Sequence, residues 1–153
     1  MSDKDKTVLS ACKASWNESW IAGLANSDNC SGFFKSVAKH LSVPAVPDVQ
    51  ADGLVDYMGK LWMGLKTGME ARQKVQDGYF VAAGLKSTDH KPKRGNGHIV
   101  VVVDGDLYHG KYPMCWCGSI GEAQSQGDLS VGEVWNKTDR DNVAYFIYPQ
   151  KVS

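Results

Sequence analysis

Four cysteines and four histidines hold most of the nucleophilic and acid–base capacity of this chain. Cys30 stands apart from the others by its neighbours. It follows Asp28 and Asn29, either of which can cap a helix, and it precedes the small pair Ser31–Gly32. Phe33, Phe34, Val37, Ala38 and Leu41 then mark one apolar side of a helix starting near Cys30. In a first helical turn, unpaired backbone N–H groups and the positive end of the dipole favour a thiolate. Such positions lower a thiol pKa from about 8.5 by roughly one unit or more. Ser31 and Gly32 leave space for a carbonyl to approach the sulfur. A structural cysteine at a helix start would look the same locally, so the second signal must come from a base.

A thiolate nucleophile needs a partner that stabilises it and moves protons, usually histidine. His40 falls at the end of the Cys30 helix, too far along it to reach back. His90 belongs to the Lys-rich stretch "STDHKPKRGNG" and is expected in solvent; His109 sits in the turn-like "DLYHGK". His98 has the best setting, because "GNGH" runs directly into "IVVVV": glycines keep the approach open and a strand fixes the ring. A third group would orient the imidazole. In "CWC", Cys115 and Cys117 share one strand face with Trp116 on the other, so either could border the site, as could His109.

The elements that must position these groups are legible in outline. Val8, Cys12, Trp16 and Trp20 predict a first helix from Lys6 to about Leu24. "SVPAVPD" ends the Cys30 helix. Leu54, Met58, Leu61, Trp62 and Leu65 predict a third helix from Asp52 to about Lys66, and a short fourth spans Gly68 to Gln76. Beyond it, "YFVAAGLK", "HIVVVV", "KYPMCWC", "GEVW" and "NVAYFIYP" read as strands between Gly and Asp turns. Helices first and strands afterwards predict an α+β domain with an antiparallel sheet.

Composition narrows the function classes. The 153 residues carry 17 basic and 17 acidic side chains, so no net field favours nucleic acid or an anionic membrane. The start "MSDKDKTVLSACKASW" has no apolar core of a secretory signal, and "IVVVV" is too short to span a bilayer. Synthesis in the cytoplasm without a signal peptide is expected. Four scattered cysteines do not form a disulfide framework, and free thiols are expected.

The motif "DNCSGF" followed by a Gly-His strand resembles the NlpC-type papain-like cell-wall peptidases. "ACKASW", "AGLK", "KYPMCWCGSI", "QSQG", "SVGEVWN" and "TDRD" extend the likeness. From Ala11 to about Tyr148 the sequence resembles the family 1 amidase effectors of type VI secretion systems. The resemblance implies one papain-like, NlpC-type domain over residues 1–153, with N-terminal helices packed on an antiparallel sheet. It implies Cys30 as nucleophile, His98 as base and Cys117 as third catalytic residue. The wider NlpC-type pattern makes His109 the rival for that place. Asn29, Ser31 and Gly32 are expected to border the substrate.

The implied activity is cleavage of the γ-D-glutamyl–meso-diaminopimelate bond of peptidoglycan stems, without a cofactor or metal. It would act in a rival bacterium's periplasm after type VI export, with a cognate immunity protein guarding the producer. Two features depart from the family. The loop "KSTDHKPKRGNG" is long and basic, and neither Thr7 nor the tail "PQKVS" offers a cysteine to join the termini. Two other readings compete: acyl transfer from the same Cys–His site, and a metal-binding module built on Cys115, Cys117 and His109 or His98. Structural zinc sites usually space paired cysteines by two to four residues, so a lone C-x-C is a weak metal signal.

Overall fold

The computed structural model describes residues 6–153; the charged start of the chain, residues 1–5, lies outside them. The first helix, α1 (Lys6–Trp16), buries Val8, Ala11 and Cys12. It stops well short of the expected Leu24. Asn26, fully buried, donates from Nδ2 to the Ser15 carbonyl (2.9 Å) and to Ser36 Oγ (2.8 Å). Its Oδ1 accepts the Trp20 N–H at 2.9 Å. This satisfied buried amide turns the chain after α1 and takes Trp20 out of the helical stripe.

A 3₁₀ turn (Asn26–Asp28) leads into α2 (Cys30–His40). Helix α3 covers Ala51–Leu61, again shorter than its apolar register suggested. Trp62 adopts an extended backbone there, and its buried ring packs against Phe34, Phe80 and Tyr148. Met63–Leu65 then form β1, an edge strand whose backbone pairs with the last strand of the chain. Burial of the Trp62 ring and the strand's own hydrogen bonds outweigh another helical turn. Helix α4 (Gly68–Gln76) lies as expected, with Thr67 Oγ1 accepting the Glu70 N–H at 3.1 Å.

The remaining strands are β2 (Tyr79–Leu85), β3 (His98–Val102), β4 (Met114–Cys117), β5 (Ser125–Ser130) and β6 (Ala144–Lys151). They form one antiparallel sheet in the order β1-β6-β2-β3-β4-β5. "GEVW" is not a strand: Val131–Val134 is a single helical turn, α5. Glu133 Oε1 accepts the Ser130 N–H at 3.0 Å, which is the side-chain half of a capping box and favours a helical turn. The polar segment "SQGDLS" before it supplies β5 instead.

Alternation along the strands divides the core in two. Ile99, Val101, Val103 and Trp116 face α1, α2 and α3. Val100, Val102, Cys115 and Cys117 face α4 and α5. Phe33 and Phe34 are fully buried beneath α2, each contributing about 1.5–3 kcal/mol of transfer free energy. That packing fixes α2 against β3 and with it the position of Cys30. Among the described residues, no helix is long and apolar enough to cross a membrane.

Candidate active site

Asn29 is the cap of α2. Its Oδ1 accepts the Gly32 N–H and the Ser31 hydroxyl, both at 3.1 Å. Asp28 is used differently, accepting from Gln124 Nε2 at 2.9 Å. Cys30, half-buried, therefore begins the helix at its amide-rich end, on the wall of a cleft of about 840 Å³. Asn29 and Ser31 also face the cleft; Gly32 does not line it. A Cβ at Gly32 would lie 2.5 Å from Asn29 Nδ2, so this glycine makes room for the cap.

His98 opens β3, with only 5% of its surface exposed, and also lines the cleft. The β3–β4 register pairs Val101 with Trp116 and Val102 with Cys115. Continuing it sets Cys117 beside Val100, on the sheet face that His98 shares. The site thus lies at the end of β3, where the helix covering one sheet face meets a side chain from the other.

Burial alone would push the His98 pKa down. Hydrogen bonding to Cys117 and Cys30, and the charge of these sulfurs, outweigh it and hold the ring up to about 10. Its buried Nε2 has no partner meeting ordinary hydrogen-bond geometry, so the sulfur contacts are loose ones. Cys117 is held down to about 5, first by a hydrogen bond from Cys115, then by the bond to His98 and its charge, against burial. Cys115 moves the opposite way, raised by its hydrogen bond to Cys117 and by burial; its Sγ also lies 3.6 Å from the Leu129 carbonyl oxygen, so the two acceptors share one thiol proton. His98 and Cys117 thus shift in opposite directions, each favouring the charged form of the other, while Cys117 Sγ also lies 3.7 Å from the Ala123 carbonyl oxygen.

The other histidines separate clearly. His40 pairs with Glu18 at 2.8 Å on the surface. His109 sits at a positive φ of 52° in the turn between Tyr108 and Tyr112, edge-on to Tyr108 and away from the cleft wall. His90 is not in solvent as its Lys-rich surroundings suggested: it is 1% exposed. Its Nδ1 lies 2.9 Å from the Lys86 carbonyl, and its Nε2 accepts the Trp135 indole N–H at 3.3 Å.

Several groups that line the cleft carry no local signal in the sequence. Lys35, on α2, pairs with Asp48 at 2.7 Å, and Asp48 also accepts from Trp20 Nε1 at 2.9 Å. Arg94 and Glu122 form an ion pair from opposite loops. Asp52 accepts from the N–H and hydroxyl of Ser87, anchoring the loop that precedes His98. Only the fold brings these distant positions together. Among the described residues, no group of three or more His, Cys, Asp or Glu side chains is placed to hold a metal ion.

Helices packed on an antiparallel sheet, with a cysteine at a helix start facing a histidine at a strand start, constitute the papain-like, NlpC-type fold. No family model matches the chain. Over 150 residues it is 50% identical to a curated protein, "Peptidoglycan amidase Tse1" of Pseudomonas aeruginosa, covering 97% of this chain and 93% of that protein. The chain belongs to the same family, the family 1 amidase effectors of type VI secretion.

Proposed function

We propose that this protein is a cysteine amidase that cuts the γ-D-glutamyl–meso-diaminopimelate bond of peptidoglycan stems. Family membership makes it a hydrolase acting on peptidoglycan. The observation that carries the cysteine mechanism is the meeting of Cys30 and His98 in one cleft, with Cys117 buried beyond the ring.

In this reading, the Cys30 thiolate attacks the γ-glutamyl carbonyl and forms a tetrahedral oxyanion. Asn29 Oδ1 already holds the Gly32 N–H and the Asn29 carbonyl holds that of Phe33. The N–H groups of Cys30 and Ser31 are then the donors left to bind the oxyanion. The imidazolium of His98 protonates the departing diaminopimelate amine as the thioester forms. The neutral ring then takes a proton from water, whose oxygen attacks the thioester and restores the thiolate. Cys117 orients His98 in both its protonation states, favours the charged one, and touches no substrate.

Delivery by type VI secretion into a rival's periplasm, with an immunity protein covering the cleft, completes the proposal. Ile21, Val49 and Ile120 are exposed around the cleft mouth, an apolar rim that suits a protein cover. The test is digestion of diaminopimelate-type peptidoglycan, with mass analysis of the released fragments. Fragments ending at D-glutamate from the wild type and not from Cys30→Ala or His98→Ala support the proposal. Intact peptidoglycan in all three samples overturns it, and transfer to an added amine would make the enzyme an acyltransferase.

A further inference from the structure

The indole of Trp135 stands between two histidines. Its ring is edge-on to His98, with centroids 5.2 Å apart and planes at 69°. Its N–H donates to His90 Nε2 at 3.3 Å, and His90 Nδ1 reaches the Lys86 carbonyl at 2.9 Å. All three rings are buried: His90 is 1% exposed, Trp135 3% and His98 5%. Since Nε2 accepts from the indole, the His90 proton lies on Nδ1 and is donated to Lys86, which fixes a neutral tautomer.

We infer that Trp135 and His90 are positioning residues for His98, a buried clamp that sets the orientation of the catalytic imidazole. This rests on the assignment of His98 as the base. The need for a clamp follows from the site itself. A backbone strand fixes the Cα of His98 but leaves ring rotation about χ2, and sulfur neighbours restrain that rotation weakly because their hydrogen bonds are long and diffuse. In many cysteine and serine hydrolases a carboxylate or amide supplies the directional bond. Here packing against an indole takes over part of that role. The indole is in turn prevented from rotating by its bond to His90.

The clamp also joins the base to the cleft rim. His90 belongs to the same loop as Arg94, and the next residue, Lys91, donates its N–H to Asp139 at 2.8 Å, with Asp139 itself buried. Asn136 Nδ2 donates to the Lys91 carbonyl at 3.4 Å. The loop that forms one cleft wall is therefore fastened to the segment carrying Trp135, and both are held by the group that abuts His98.

Trp135→Phe keeps an aromatic ring beside His98 but removes the N–H; His90→Gln keeps an acceptor near Nε2, and His90→Phe removes it. Kinetics on one defined stem peptide would be combined with imidazole NMR of His98 in the Cys30→Ala background. Trp135→Phe and His90→Phe are expected to lower kcat roughly ten- to a hundredfold with KM little changed, the scale of a small misplacement of a catalytic group. The His98 ring signals and the alkaline limb of the pH profile should move, and His90→Gln should recover most of kcat. If His90→Phe does not fold, Trp135→Phe and His90→Gln carry the comparison. Variants with lower melting temperature but unchanged kcat, pH profile and His98 signals would reduce the cluster to core packing and overturn the inference. An active His98→Ala enzyme would instead remove the base assignment on which it rests.

Discussion

Gly118 lies directly against the backbone of Asn26, so that a Cβ on it would stand 1.9 Å from the Asn26 carbonyl oxygen. Next to this contact, the Ser119 N–H donates to the Ser27 carbonyl at 3.0 Å. The residue after Cys117 is thereby fastened to the turn that leads into Cys30. Two groups with no chemistry of their own set the spacing between the helix end bearing one sulfur and the strand end bearing the other.

Gly118→Ala should therefore be among the most damaging small substitutions in the chain. The obstacle is backbone, which cannot rotate aside, so the cost falls at or above the upper end of the roughly 1–3 kcal/mol typical of overpacking. Denaturant unfolding measures it. Gly59→Ala in α3 is the control, since its Cβ meets nothing within 4 Å. It should stabilise the protein by about 0.5–1 kcal/mol, the helix-interior advantage of Ala over Gly.

Cys30→Ala should abolish fragment release and leave the melting temperature nearly unchanged. Cys30 is only half-buried and the cap belongs to Asn29, so the fold loses little. Residual turnover close to that of the wild type would assign the nucleophile elsewhere.

The third position has its own pH signature. Cys117→Ala removes the leading influence that raises the His98 pKa, while burial still lowers it. The imidazolium then loses its proton at lower pH, and the alkaline limb of kcat/KM should move toward neutrality. His109→Ala should leave that limb in place.

The same pair ties stability to pH. The folded pKa of His98, about 10, lies above its ordinary 6.5, so its contribution is complete below 6.5 and vanishes as pH rises through 10. Cys117, lowered from 9.0 to about 5, contributes fully above 9 and loses its share as pH falls through 5. Denaturant midpoints measured from pH 5 to 10 should show both slopes in the wild type and flatter ones in Cys117→Ala.

Asn29→Ala removes an acceptor that serves both the Gly32 N–H and the Ser31 hydroxyl. Loss of the cap should cost about 1 kcal/mol in unfolding experiments. Because the first turn of α2 also carries Cys30, kcat should fall further than the lost stability alone explains.

Local signals in the sequence were enough for the elements whose chemistry is contained within a few neighbouring residues. The cap, the small pair and the apolar stripe around Cys30 specify a helix start, and "GNGH" before a β-branched run specifies a strand start; both lie where they were expected. The alternation in "CWC" likewise placed two sulfurs on one face. What the sequence could not contain were outcomes of competition between distant groups. Apolar register continued past Trp16 and Leu61, but the buried amide of Asn26 and the pairing of β1 with β6 drew the backbone elsewhere. "SQGDLS" has almost no strand propensity and becomes β5 because β4 offers it an edge. His90 sits among lysines and yet is buried, because Trp135, 45 residues later, brings it a donor. The sequence determined which residues can do chemistry and which local elements carry them. The tertiary structure decided which thiol meets which ring, because cross-strand register and helix packing set those distances and no local pattern records them.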